Sequence, residues 1–249
     1  MQRKNSLIFS IVIPAYNETK NFKRGRLNEL FDFLQKQYFS WEIIFVNDGS
    51  TDDTLPLLNK LGQKYPAVKI LDIVHGGKAG AVKAGVGKAK GEFVLFTDFD
   101  QSTPIPEVIK VLRKFEKGAD VVIARRKHVH GWPMPQRIRS KMFNLLVQLL
   151  ILPGIADTQC GFKAFRTSIA RNLFNNLLIT KGAQKGRFMG AFDVELLFLA
   201  RKKNYKIQSI DVNWYCVRAG SLTWLEPLKM LLNIITVRVY DTMGRYSKI

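Results

Sequence analysis

The sequence predicts an α/β fold, a mainly parallel sheet with helices on both faces and amphipathic helices toward the C-terminus. Three observations predict it. Through the first half, short apolar runs of strand length alternate with longer stretches of helical periodicity, the rhythm of a parallel sheet covered on both sides. The runs are almost continuously apolar, as strands buried on both faces must be. Each is followed by a short polar cluster, and in open α/β sheets ligands bind outside the carboxyl ends of the strands.

Taken in order, residues 7–14 form the first strand, residues 27–37 a helix and residues 42–46 the second strand. Ser50-Thr51-Asp52-Asp53 supplies capping oxygens for a helix running to about residue 65. Residues 68–73 form the third strand, 79–89 a helix and 93–97 the fourth strand. A helix over 107–117 and a fifth strand over 120–124 complete the alternation.

The second half differs. Residues 137–151 open with Arg137, Arg139 and Lys141 and continue into Leu145, Leu146, Val147, Leu149, Leu150 and Ile151. A helix there is about 22 Å long, too short to cross a bilayer. Two readings carry equal weight for it: a core helix, or a helix lying in a membrane interface with its basic start near lipid headgroups. A polar, glycine-bearing loop over 181–190 precedes a helix over 192–204 and a strand over 207–212. A long helix over 225–246 carries Leu228, Leu231, Leu232, Ile235 and Val239 at helical spacing, while Lys229, Arg238 and Arg245 exclude it as a membrane span.

At 249 residues the chain has room for one large domain with an ample core. Two cysteines, Cys160 and Cys216, argue against a disulfide scaffold and fit a reducing cytoplasm. No secretory signal precedes the first strand, and no run of about 20 apolar residues offers a transmembrane helix. The anomaly is charge: 39 Lys and Arg stand against 20 Asp and Glu, for a formal net charge of +19. Such an excess implies an anionic partner, whether nucleic acid, an acidic membrane surface or phosphorylated substrates. Composition does not separate the three.

The polar tails of successive strands are Tyr16-Asn17-Glu18, Asn47-Asp48-Gly49-Ser50, Asp98-Phe99-Asp100 and Arg125-Arg126-Lys127. All converge on one edge of the sheet. Asp98 and Asp100 are the most pointed pair. Two carboxylates where a buried strand reaches solvent make a seat for Mg²⁺ or Mn²⁺, hard ions that take carboxylate oxygens together with substrate phosphates. A solvated turn, continued by Ser102, Thr103 and Pro104, is the plainer alternative.

His75-Gly76-Gly77-Lys78-Ala79-Gly80 opens a helix and reads either as a phosphate cradle or as a glycine turn. It lacks the Gly-Lys-Ser/Thr of a P-loop, and no G-x-G-x-x-G follows the first strand, so ATPase and dinucleotide readings lose ground. His128-Val129-His130 is better explained without a metal. Cys160, with no paired histidine, reads as structural. Capping accounts for Asp193 in Phe192-Asp193-Val194-Glu195, but nothing so simple accounts for Asp157-Thr158-Gln159-Cys160-Gly161-Phe162-Lys163.

Together these residues resemble a family 2 glycosyltransferase of the GT-A fold, and within it the polyprenyl- or dolichyl-phosphate hexosyltransferases. The resemblance runs from Ser10 to about Tyr240. It is carried by Pro14-Ala15-Tyr16-Asn17-Glu18, Val46-Asn47-Asp48-Gly49-Ser50-Thr51-Asp52, Gly77-Lys78-Ala79-Gly80 and Asp98-Phe99-Asp100. The Asp157–Lys163 run, Phe192-Asp193-Val194-Glu195 and Val212-Asn213-Trp214 are narrower and most similar to the dolichyl-phosphate β-glucosyltransferases.

The resemblance implies one domain over 1–249, with a nucleotide-sugar-binding half, 1–127, and an acceptor and membrane-surface half, 128–249. It implies that Pro14, Tyr16, Glu18 and Asp48 hold the nucleotide, that Lys78 lies in the donor pocket, and that Asp98 and Asp100 hold Mg²⁺ or Mn²⁺ on the donor diphosphate. Arg125 and Arg139 are expected near phosphates, and Asp157 and Asp193 join the catalytic set. The implied reaction is inverting transfer of a hexose, glucose from UDP-glucose, to a polyprenyl or dolichyl phosphate. The enzyme is expected on the cytoplasmic face of a membrane, bound peripherally to an anionic surface. A GDP-mannose-dependent mannosyltransferase is the alternative within the class. A basic nucleic-acid-binding protein is the alternative outside it, supported by charge alone, so nucleic acid is not expected as a partner. Asn47 replaces the first Asp of the usual Val-Asp-Asp-Gly-Ser pattern. Ser102 stands where mannosyl relatives often carry Gln. Glucosyl relatives commonly have an N-terminal anchor, and none is expected here.

Overall fold

The computed structural model describes residues 8–179, 192–217 and 226–247. The strands are β1 (Phe9–Ala15), β2 (Trp41–Asp48), β3 (Val68–Ile73), β4 (Phe93–Phe96), β5 (Val121–His130), β6 (Lys163–Arg166) and β7 (Ile207–Tyr215). They form one sheet in the order β3-β2-β1-β4-β6-β5-β7. Every neighbouring pair is parallel except those of β6, which runs antiparallel to both β4 and β5. The carboxyl ends of the parallel strands therefore share one edge.

The helices are α1 (Thr19–Phe22), α2 (Arg26–Leu34), α3 (Thr54–Lys64), α4 (Gly77–Lys88), α5 (Val108–Glu116), α6 (Met134–Leu150), α7 (Thr167–Asn175), α8 (Phe192–Lys202) and α9 (Glu226–Thr242). A 3₁₀ turn, Ile105–Glu107, leads into α5. Strand side chains alternate between faces, and β1 shows the result. Val12 joins Val82 and Val86 of α4 in one core, while Ile11 and Ile13 join Leu30 and Phe31 of α2 and Val111 and Phe115 of α5 in the other. Burial of each such side chain contributes roughly 1.5–3 kcal/mol. Two cores, one on each face, are what the unbroken apolar runs require.

The second half of the chain returns into this sheet. β6 enters between β4 and β5, pairing Phe96 with Lys163 and Ile123 with Lys163. The sequence reading ended a loop at Lys163 and foresaw neither β6 nor α7. It also stopped the fifth strand at Ala124, whereas β5 continues to His130 beside β7, with an irregularity between Arg126 and His128. The reading of 181–190 as a loop lies outside the described residues. α8 is buried from Phe192 to Ala200, Asp193 and Glu195 included. Its Glu195 is fully buried and accepts hydrogen bonds from Leu178 N (2.6 Å) and Tyr246 Oη (2.7 Å), tying the end of the chain to the body.

α6 is neither simply a core helix nor simply a surface one. Phe143, Asn144 and Val147 face inward. Met134, Ile138, Met142, Leu145, Leu146, Leu149 and Leu150 are exposed along the opposite side, and Leu232, Ile235 and Val239 of α9, with Met243 just beyond it, are exposed too. Among the described residues no helix is long and apolar enough to cross a membrane.

Candidate active site

The loops at the carboxyl edge are laced together by short polar side chains. Asn17 adopts a left-handed conformation (φ 54°), one that Asn tolerates better than most residues. Its N–H donates to Ser50 Oγ (3.0 Å), and its Oδ1 accepts from Thr51 N (2.9 Å). Glu18 N donates to Thr54 Oγ1 (2.7 Å), and Thr19 N donates to Asp52 Oδ2 (3.2 Å). The capping oxygens read from the sequence thus fasten the β1 loop as well. Burial raises the Asp52 carboxyl, but hydrogen bonds from Thr54 N (3.0 Å) and Thr19 N outweigh it and hold the group down at about 2.

Asp48, at the end of β2, fixes the next loop. Its Oδ1 accepts from Gly76 N (2.7 Å), and its Oδ2 lies 3.0 Å from His75 Nδ1. Gly49 (φ +65°) has no room for a side chain, since a Cβ would stand 2.9 Å from His75 N. The His75 ring lies against Tyr16, centroids 4.4 Å apart. The motif reading places His75 at the start of a phosphate cradle or a glycine turn and gives it no role of its own. The structure makes it a wall beside Tyr16.

These residues line a pocket of about 380 Å³ together with Pro14, Glu18, Lys78, Asp98 and Asp100. Every residue expected to bind the nucleotide or the metal is therefore on one cavity. Lys78, in the first turn of α4, forms an ion pair with Asp98. Burial works against the charged form of Asp98, yet Lys78, with Lys163 and Arg126 beyond it, holds its carboxyl below the usual carboxylate range. Asp100 Oδ1 accepts from both Ser102 N (3.0 Å) and Ser102 Oγ (2.8 Å), so the Ser102 hydroxyl orients the second carboxylate.

The donor set fits a hard divalent ion. Two carboxylates face one cavity, and a cation, the Lys78 ammonium, already stands against one of them. Among the described residues no group of three or more His, Cys, Asp or Glu gathers to hold a metal. An ion here would share its coordination with phosphate and water, as Mg²⁺ commonly does.

Behind Asp98 lies a second layer. Lys163 on β6 is fully buried, donates to Asp193 Oδ2 (2.5 Å) and to Cys160 O, and sits 5.7 Å from the Phe96 ring centre. Asp193 is thus beneath the cavity and does not line it. Its Oδ1 is buried without a hydrogen-bond partner among the described residues. Cys160 is buried, and burial pushes its thiol up, which suits a structural role. Gly161 packs directly on Asp98, where a Cβ would overlap the carboxylate oxygens.

A second cavity of about 420 Å³ is walled by Arg125, Arg126, Lys127, Arg137 and Lys141 and by Trp132 and Leu145, and its Arg126 acts electrostatically on Asp98 of the first. Arg126 is its centre. Its Nε and Nη2 donate to Asp157 Oδ2 (2.7 Å) and Oδ1 (2.8 Å), and Nη2 also donates to Ser140 Oγ (3.1 Å). Trp132 and Trp214 flank the guanidinium at 5.0 and 5.7 Å. Burial opposes both charges, but each partner holds the other ionised, Asp157 shifted down and Arg126 up. Arg125 pairs with Asp211 Oδ1 (2.6 Å), and Lys127 contacts the same carboxylate. Arg139 lies on α6 but is not part of this wall, where Arg137 and Lys141 stand instead. Sequence reasoning passed over Arg126. With the strand ended at Ala124, nothing local distinguishes Arg126 from the cations beside it, and its partner Asp157 lies 31 residues away. His128 and His130 lie on the β5 tail, where His130 stacks on Tyr215 at 4.7 Å.

The Gly161 contact yields a prediction. Gly161→Ala meets only the end of a side chain, so stability should change by less than ~1 kcal/mol. Asp98, however, must swing away, and turnover should fall at least about tenfold. Urea unfolding and steady-state kinetics on the same preparation check both parts; unchanged turnover would mean that the Asp98 position is not critical.

The Glycosyl transferase family 2 description matches residues 10–174. A relative named dolichyl-phosphate beta-glucosyltransferase from Homo sapiens is 33% identical over 252 residues, covering 90% of this chain and 74% of its own length. The relative of that name from Saccharomyces cerevisiae is 31% identical over 274 residues, covering 98% of this chain and 78% of its own. Among solved structures, glucosyl-3-phosphoglycerate synthase from Mycobacterium tuberculosis, in complex with Mn²⁺, UDP-glucose and phosphoglyceric acid, superposes with a TM-score of 0.64 at 18% identity, over 95% of this chain and 80% of that one. S. aureus TarS in complex with UDP-GlcNAc gives a TM-score of 0.61 at 24% identity, over 93% of this chain and 66% of that one. At such identities the structures speak for the fold, which is the GT-A type. A family match across two thirds of the sequence and relatives more than 30% identical along most of it agree: the chain belongs to glycosyltransferase family 2.

Proposed function

We propose that the chain transfers glucose from UDP-glucose to a polyprenyl or dolichyl phosphate, with inversion, giving a β-linked glycosyl phospholipid. One observation carries this reading: Arg126 of a basic cavity acts electrostatically on Asp98 of the carboxylate cavity, and the basic cavity is lined at Leu145 by the exposed apolar stripe of α6. An acceptor with an anionic head and a long apolar tail fits that sequence of surfaces. The relatives named dolichyl-phosphate beta-glucosyltransferase support the choice of sugar and lipid.

In this reading Tyr16 and His75 flank the nucleobase, with Pro14, Glu18 and Asp48 framing the nucleoside and Lys78 on the diphosphate. Asp98 and Asp100 would hold Mg²⁺ or Mn²⁺, which supplies Lewis-acid neutralisation of the departing diphosphate. A lipid phosphate oxygen forms the new bond to the anomeric carbon from the opposite face as the bond to the diphosphate breaks. The electron pair leaves with UDP. That oxygen is already anionic near neutral pH, so no strong general base is required. Asp157 and Asp193 fit this chemistry, since each is bonded to a buried cation, Arg126 or Lys163. Their role is to hold those cations in place. Arg125, Arg137 and Lys141 supply positive charge for the incoming phosphate, while Arg139 serves the surrounding basic surface. The first half of the chain thus holds the donor, and the second half receives the acceptor.

The same reading places the enzyme peripherally on the cytoplasmic face of a membrane. Exposed leucines and methionines on α6 and α9 would enter the interface, and Arg137, Lys141 and Arg238 would meet anionic headgroups. The two free thiols suit a reducing compartment.

Two experiments test this. Asp98→Ala and Asp100→Ala should each reduce glucosyl transfer at least roughly a hundredfold while circular dichroism is unchanged, and chelation should do the same until Mg²⁺ or Mn²⁺ is restored. UDP-glucose should outperform GDP-mannose as donor. Activity of either variant near wild type overturns the metal assignment, and preference for GDP-mannose favours the mannosyltransferase alternative. For the membrane, flotation with anionic vesicles should weaken as salt rises, because charge attraction is screened within ~8 Å at physiological ionic strength. The double substitution Leu146→Gln, Leu150→Gln should weaken it roughly tenfold more. A protein that stays entirely unbound to vesicles at low salt would exclude docking.

A further inference from the structure

Asp98 already has a cationic partner before any ion is added. Lys78 reaches it from the first turn of α4, across the mouth of the cavity. Both ends of this contact are fixed by the protein. On the lysine side, Asp48 accepts from Gly76 N (2.7 Å) and approaches His75, so the loop that launches α4 is pinned. On the acid side, Gly161 closes the space behind the Asp98 carboxylate, and the Asp98 carbonyl accepts from Gln101 Nε2 (2.8 Å). The carboxylate is held between a glycine Cα and an ammonium. Asp100 and Asp193 also act electrostatically on that ammonium.

Lys78 bonds Asp98 Oδ1 while Oδ2 packs nearest Gly161, so a divalent ion at Asp98 competes with the ammonium for Oδ1. Two cations at one carboxylate repel, so the ion can load only as the ammonium moves to another anion. The one anion the site is built to receive is the donor diphosphate, and Lys78 lines the same cavity. We propose that Lys78 is a counter-ion latch. It keeps the carboxylate pair from divalent metal in the free enzyme, and it transfers to the diphosphate when the nucleotide arrives, so that metal and donor bind interdependently. The latch rests on the assignment of Asp98 and Asp100 to the metal and specifies how that site is regulated. Linkage makes the effect reciprocal: whatever factor the nucleotide adds to metal affinity, the metal adds to nucleotide affinity.

The test is Mn²⁺ binding followed by electron paramagnetic resonance, with no acceptor and no turnover. Without nucleotide, wild type should bind Mn²⁺ weakly, and Lys78→Met should bind it roughly five- to fiftyfold more tightly. Lys78→Gln should behave like Lys78→Met, and Lys78→Arg, which keeps the charge, like wild type. Adding UDP should strengthen Mn²⁺ binding at least about tenfold in wild type and much less in Lys78→Met. If neither Lys78→Met nor Lys78→Gln gains affinity for the bare ion, the latch is wrong. Asp98→Ala separates that failure from a deeper one. Loss of UDP-dependent Mn²⁺ binding in Asp98→Ala, with no gain in Lys78→Met, removes the latch but keeps the metal site. Wild-type Mn²⁺ binding in Asp98→Ala removes both.

Discussion

The insertion of β6 between β4 and β5 is the constraint on which the site depends. Pairing of Phe96 with Lys163 brings the 157–163 segment against the end of β4. Gly161 then packs on Asp98, Lys163 enters the interior beneath it, and Asp157 meets Arg126. A glycine is needed at the point of contact because the carboxylate occupies the space of a side chain. One short antiparallel strand therefore carries the second half of the chain to the carboxylates of the first.

The polar layer behind the site is costly to build. Lys163–Asp193 and Arg126–Asp157 are ion pairs with nearly all their side-chain surface removed from water, and such pairs seldom add net stability over apolar packing. Deleting one partner, by contrast, costs ~3–5 kcal/mol because the other charge is stranded. What they provide is position. The Arg126 fork is fixed by two bonds to one carboxylate and by two indole rings, and Lys163 by a carboxylate and a carbonyl. Charges held this firmly need little reorganisation, which is the condition for strong electrostatic stabilisation of an anion.

The parallel strands and the residues that line the first cavity were legible in the sequence because each depends on local pattern. Apolar runs marked β1 to β4, and the polar clusters after them marked the cavity where Tyr16, Asp48, Lys78, Asp98 and Asp100 meet. What escaped depends on long-range pairing. Lys163-Ala164-Phe165-Arg166 is too short and too charged at its ends to read as a strand, and only its register with β4 and β5 buries it. The extension of β5 past Ala124 hides in the same way, since a row of cations looks like a loop until β7 pairs with it. The Arg126–Asp157 bond spans 31 residues, and no spacing rule points to it. α6 illustrates a different limit. Periodicity shows that a helix has an apolar face, but α6 carries one narrow face inward and a wider one outward.

In the reaction proposed above, a lipid phosphate enters by the basic cavity and displaces the diphosphate held over Asp98 and Asp100. The most direct measurement is nuclear magnetic resonance of the lipid product formed from UDP-glucose and polyprenyl phosphate, reading the linkage and the anomeric configuration together. The account predicts a single glucosyl phosphate of β configuration, with formation matched to UDP release. An α-linked product, or UDP release without any glycosylated lipid, would contradict it.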